Sequence, residues 1–212
     1  MIVALAGADG VGKTTIVSRV VERLIESGHS ARAIRRWDIV DNPAYPATRF
    51  IKRDIRDLRN CVAAMPPIPR LMFLLWTMHM SLAPYLADRE SSIIVVDGYW
   101  MKHAASEIAY GVEADYVAAL TDRMPRADIT FLLEVPLDQL YERKRNDLVP
   151  YECAMDPQCS RDNFIVHQNK ICTILGGWAR SFNWIKVDAA RPADAIVRQL
   201  VTTIRPQTLP AN

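Results

Sequence analysis

Residues 1–15 read Met1-Ile2-Val3-Ala4-Leu5-Ala6-Gly7-Ala8-Asp9-Gly10-Val11-Gly12-Lys13-Thr14-Thr15. An apolar run with β-branched residues breaks into G-x-x-x-x-G-K-[ST] and then into the amphipathic stretch Ile16 to Leu24. A strand, a glycine-rich turn and a helix form the context in which this pattern binds polyphosphate. Glycine at positions 7, 10 and 12 permits backbone angles that let successive N–H groups turn inward around an anion. The helix that follows offers unpaired N–H groups and the positive end of its dipole. The stretch therefore predicts a nucleoside triphosphate bound by Gly7, Ala8, Asp9, Gly10, Val11, Gly12, Lys13, Thr14 and Thr15. Lys13 is expected at the β and γ phosphates, and the Thr14 hydroxyl on Mg²⁺.

Outward from this loop, strands and helices alternate. A helix from about Thr15 to Ser27 ends at Gly28, and Ser30 to Trp37 reads as a second strand carrying Arg32, Arg35 and Arg36. Asn42-Pro43 and Tyr45-Pro46 mark a loop, followed by a helix from about Ala47 to Ala64. Pro66, Pro67 and Pro69 break the chain before an apolar helix from Arg70 to about Leu86. Ser92 to Val96 and Ile129 to Val135 are near-continuous apolar runs typical of strands covered on both faces, and Trp184 to Val187 is a fifth strand. Helices are expected at about 100–110, 114–123, 137–145, 163–181 and 192–204. The pattern predicts an α/β fold with a five-stranded parallel sheet, flanked by helices, with ligands at the carboxyl ends of the strands. Residues 1–204 are expected to form one domain, with 205–212 a flexible tail.

Composition bounds the function classes. The 212 residues are half hydrophobic and a quarter charged, ordinary for a globular enzyme. A net charge of +2 gives no case for a nucleic acid polymer or a membrane as partner. Leu71 to Met80, the longest apolar stretch, is too short to cross a bilayer and carries His79. A cytoplasmic location is expected. No secretory leader is read, because the N-terminus is itself the first strand, and Cys61, Cys153, Cys159 and Cys172 lack C-x-x-C spacing. Cys153 and Cys159 with His167 lack the spacing and the fourth ligand of a metal centre.

The second chemical landmark is Asp97, at the carboxyl end of Ile93-Ile94-Val95-Val96, where a carboxylate near the metal is needed. With it the chain resembles the thymidylate-kinase-like branch of the phosphate-loop nucleoside monophosphate kinases. The resemblance rests on residues 7–15, which match G-x-[DE]-G-x-G-K-T-T, and on Asp97-Gly98-Tyr99 standing where that family has Asp-Arg-Tyr. It extends through Asp128 to Pro136, through Arg143-Lys144-Arg145 at the opening of a lid, and through Trp184 to Pro192. It implies the P-loop NTPase fold, MgATP as donor, phosphoryl transfer to a nucleoside monophosphate such as dTMP, and a homodimer. It also implies that Asp9 orients the acceptor sugar. Gly10 holds no arginine, so the catalytic basic residues would come from the lid at about 143–162, with Arg143 and Arg145 joining Lys13, Asp9 and Asp97. A solvated helix end is the other reading of that basic cluster.

The departures fall on the acceptor side. Gly98 and Thr77 stand where the family carries acceptor-phosphate arginines, and Arg36-Trp37-Asp38 replaces its R-E-P segment. Arg36, Arg70 and Lys102 are the cations that could compensate, with Trp37, Phe73 and Tyr99 as aromatic faces for a planar acceptor. On this reading, Gly98→Arg would improve use of dTMP. The alternatives are a nucleoside or other hydroxyl-bearing metabolite as acceptor, or a nucleotide-binding module without transfer. Apolar residues almost all round the 70–86 helix predict a helix-packed homodimer.

Overall fold

β1 (Ile2–Ala6) is buried at every position, and that decides its place at the centre of the sheet. A computed structural model describes residues 1–51, 54–86 and 92–205. Within them α1 (Lys13–Glu26) leads to β2 (Ala31–Arg35), α2 (Ile55–Ala64), α3 (Pro67–Leu82), β3 (Ile93–Asp97), α4 (Trp100–Ala109) and α5 (Ala114–Thr121). β4 (Ile129–Glu134), α6 (Leu137–Lys144), α7 (Arg161–Ser181), β5 (Ile185–Asp188) and α8 (Ala193–Ile204) follow. The sheet order is β2-β3-β1-β4-β5, and every pairing is parallel.

Side chains alternate across the sheet with the two-residue period of a strand. Val3 and Leu5 face α1 and α8 with Val95, Phe131 and Val197. Ile2, Ala4 and Ala6 face α3, α4 and α7 with Leu71, Val96 and Leu175. Burying each larger aliphatic side chain contributes about 1.5–3 kcal/mol. A third cluster, Ile39, Tyr45, Leu58, Val62 and Leu74, lies under α2 and α3. β3 and β4 diverge on either side of β1, so the turn after β1 opens on the crevice where such sheets bind ligands.

Four boundaries differ from the sequence expectation. β2 stops at Arg35, because the Asp38 carboxylate accepts the Arg35 N–H at 2.7 Å and starts a 3₁₀ turn over Arg36–Ile39. The helix expected from residue 47 begins only at Ile55, where Asp54 caps the Arg56 N–H at 2.8 Å. α3 starts at Pro67, inside the run of prolines expected to precede it, rather than at Arg70. The first turn of a helix needs no N–H donors, so prolines fit there. It ends at Leu82 and passes into a 3₁₀ turn over Ala83–Tyr85. The expected tail lies outside the described residues except for Arg205.

Candidate functional site

The phosphate loop connects β1 to α1, and its curvature is set by close packing. Gly10 adopts φ +84°, and a Cβ there would lie 2.9 Å from Lys144 Cγ and 3.1 Å from the Leu140 carbonyl oxygen. A side chain at position 10 would wedge α6 away from the loop. Lys13 Nζ donates to the carbonyls of Gly7 and Ala8, at 3.0 and 2.8 Å, so its ammonium lies inside the curl. Burial lowers its pKa, while Asp9 opposes that shift.

Thr14 Oγ1 donates to Asp97 Oδ2 at 2.7 Å and ties the start of α1 to the end of β3. This hydroxyl and carboxylate are hard oxygen donors of the kind Mg²⁺ takes, and they adjoin the loop that would carry the phosphates. The residues present therefore fit a magnesium–triphosphate group. Among the described residues, no cluster of three or more His, Cys, Asp or Glu forms a separate metal site.

Asp9 is the electrostatic hub. Its carboxylate lies 2.7 Å from Lys102 Nζ, and its N–H donates to Gln168 Oε1 at 3.3 Å. Burial alone would raise its pKa, but Lys102 and Lys13 outweigh that and hold it at about 2. Glu152 lies beside the hub, 2.9 Å from Lys144 Nζ, and is pushed upward by burial and by Asp9.

The basic residues around α6 separate into two kinds. Arg143 donates to the carbonyls of Val11 and Ala189, at 3.3 and 3.1 Å, and so clasps the phosphate loop. Arg145 points outward and pairs with Glu142 at 3.2 Å, both about half exposed.

On the acceptor side, the Arg36 guanidinium stacks on the Trp37 ring at 4.5 Å and donates to the His103 ring. Its Nε is buried without a hydrogen-bond partner. His103 is held well below its ordinary pKa by burial and by Arg36, Lys102 and Lys13, so it is neutral. Arg70 is committed elsewhere. Its Nε and Nη2 grip the two oxygens of buried Glu107, at 2.7 and 2.8 Å, and Nη1 donates to the carbonyls of Ala63 and Met65. The Tyr151 hydroxyl donates to the same Glu107 at 2.8 Å.

The structure does not bring Phe73 and Tyr99 to this centre in the way the sequence suggests. Phe73 packs beside Trp76 in the α2–α3 cluster. Tyr99 is fully buried, and its hydroxyl donates to the Pro125 carbonyl at 2.7 Å, beneath α4. Its neighbour Trp100 faces a groove of about 690 Å³, lined also by Trp178 and Trp184, beside the starts of β4 and β5.

Sequence reasoning missed His103, Glu107, Tyr151, Glu152 and Gln168 as parts of the site. The signal for His103 was its adjacency to Lys102 at the start of α4. Gln168 meets Asp9 across 159 residues of chain and left none.

No family model matches the chain. It is similar to a probable thymidylate kinase of Archaeoglobus fulgidus, 26% identical over 72% of this chain and 74% of that protein. It is also similar to one from Sulfurisphaera tokodaii, at 22% identity over 95% and 94% of the two chains. Probable thymidylate kinase 1 of Saccharolobus solfataricus is 23% identical over 96% of each. The chain is thus a divergent relative of proteins that carry that name.

Proposed function

We propose that this chain transfers the γ-phosphoryl group of ATP to dTMP, giving dTDP and ADP. The observation that carries this reading is the junction at the carboxyl ends of β1 and β3. There Lys13 lies inside the loop, Thr14 is bonded to Asp97, and Asp9 is paired with Lys102. The named relatives support the choice of acceptor.

The loop N–H groups and Lys13 would cradle the donor phosphates, and Thr14 and Asp97 would hold Mg²⁺. When bound, the magnesium neutralises charge on the β and γ phosphate oxygens. Phosphoryl transfer through a loose transition state needs positioning and charge stabilisation more than base catalysis. Arg143, fixed against Val11 and Ala189, is suited to brace the loop. Arg145, paired with Glu142 at the surface, can turn inward if residues 143–162 act as a lid. Residues 1–204 make one kinase unit on this reading. Cysteines that form no disulfide among the described residues suit a reducing, cytoplasmic setting, and no helix among the described residues is long and apolar enough to cross a membrane.

A homodimer is part of the proposal. Ile68 and Met72 on α3 are 44% and 52% exposed, and Phe50 and Ile55 lie exposed nearby in the chain. An apolar face of this kind is typically covered by a second copy related by two-fold symmetry.

The test is an acceptor panel with MgATP, comparing dTMP, other nucleoside monophosphates and thymidine. Turnover of dTMP above the rest supports the proposal. Turnover of thymidine alone would reassign the chain to a kinase of unphosphorylated acceptors.

A further inference from the structure

We infer that Lys102 is the acceptor-phosphate cation of this enzyme, seated on Asp9 and shared with the phosphate when the acceptor binds. The inference rests on the proposed monophosphate kinase activity and adds to it the residue that replaces a lost arginine.

Of the acceptor-side positions raised by the sequence, only two keep a cation able to reach a phosphate. Arg70 has spent its fork on Glu107 and two backbone carbonyls, so drawing it to a phosphate would strand a buried carboxylate. Thr77 is fully buried, and its hydroxyl is bonded to the Leu74 carbonyl of its own helix. Gly98 has no side chain to offer. Lys102 and Arg36 remain.

Position and surroundings then favour Lys102. It sits in the first turn of α4, 5% exposed, with Nζ 2.7 Å from Asp9 Oδ2 on the phosphate loop itself. The Tyr151 ring lies 5.2 Å from the same ammonium, and neutral His103 is its chain neighbour. Lys13, Lys102 and Arg36 all act on Asp9 or are acted on by it. Arg36 adds a buried Nε that makes no hydrogen bond. A phosphate dianion entering between Lys102 and Arg36 would give that Nε a partner. An ammonium on a flexible four-carbon stem has three donors, so Lys102 can turn one to the phosphate and keep another on Asp9, whose carboxylate also feels Lys13 and has Gln168 Nε2 at 3.5 Å.

A purely structural ion pair would affect stability and both substrates alike, whereas an acceptor cation affects one. Lys102→Met should raise the Michaelis constant for dTMP roughly 10- to 100-fold, the scale of one charge-assisted contact, while that for ATP stays within about twofold. Lys102→Arg should recover part of the loss. Because the methionine variant breaks a buried pair and a folding defect would mimic the effect, lysine acylation of the unmodified protein, read by mass spectrometry, gives a second readout. Saturating dTMP should change the labelling rate of Lys102, and thymidine should not. Equal Michaelis constants in the methionine variant, or labelling of Lys102 indifferent to dTMP in an enzyme that turns dTMP over, overturns the inference. If the unmodified enzyme phosphorylates no monophosphate, the functional proposal has failed, and the role of Lys102 falls with it.

Discussion

Lys13 is enclosed by the loop it serves, bonded to the carbonyls of Gly7 and Ala8, so its charge is pre-placed before any phosphate arrives. Lys13→Ala should keep the fold and slow phosphoryl transfer by at least roughly 10²-fold, the scale for removing one pre-organised electrostatic group. An unchanged turnover number would contradict phosphoryl transfer by this loop. Gly98 shows how a residue can mislead when read by family likeness alone. Sequence comparison invites an arginine there to improve use of dTMP. The position has φ +62°, and a Cβ would stand 3.4 Å from Lys13 Cε. Gly98→Arg therefore places a non-glycine residue in left-handed backbone, costing about 1–2 kcal/mol, and sets a second cation beside the donor lysine. The expected outcome is a lower melting temperature and slower transfer with either substrate; a gain in dTMP turnover would refute this account.

At the scale of elements, α3 carries two duties on adjoining faces. Leu71, Leu74, Leu75 and Met78 seal the core, while Ile68 and Met72 stay exposed. Met72→Glu should convert the proposed dimer to a monomer in sedimentation at micromolar concentration, with the far-ultraviolet spectrum unchanged. A parent protein already monomeric there would remove the dimer from the proposal. The elements themselves were largely legible. Unbroken runs such as Ile93 to Val96 and the strand–loop–helix of residues 1–15 encode their structure locally. What escaped was settled by partners distant in sequence. The Arg70–Glu107 pair joins residues 37 apart, and Asp9–Gln168 joins residues 159 apart, so no local pattern marks Arg70 as structural or Gln168 as part of the site. Tyr99 failed for a related reason. Its place after a strand end pointed to the crevice, but the ring is fully buried and its hydroxyl donates to the Pro125 carbonyl.

For the whole molecule, buried histidines set an acid limit. His167 is 2% exposed with Nε2 unpartnered, and burial, then Lys102, depress its pKa to about 4 from an ordinary 6.5. His103 is depressed in the same direction. The unfolded chain takes up these protons near pH 6.5, whereas the folded chain resists until about pH 4, so the stability they confer is complete above about 6.5 and drains away as the pH falls toward 4. For His167 alone the loss is on the order of 3 kcal/mol. Melting temperature measured from pH 7.5 to 4.5 should fall steeply in the lower half, and His167→Asn should flatten the slope; a flat profile in the parent would refute it. The sheet order has a different kind of consequence, for synthesis. β1 lies between β3 and β4, and about 130 residues separate its end from the end of β4. At about 5–20 residues per second, the ribosome leaves this wholly apolar strand without its second neighbour for roughly 6–26 s. Nascent chains stalled before Ile129 should therefore bind chaperones through residues 2–6, and those stalled with β4 clear of the exit tunnel should not.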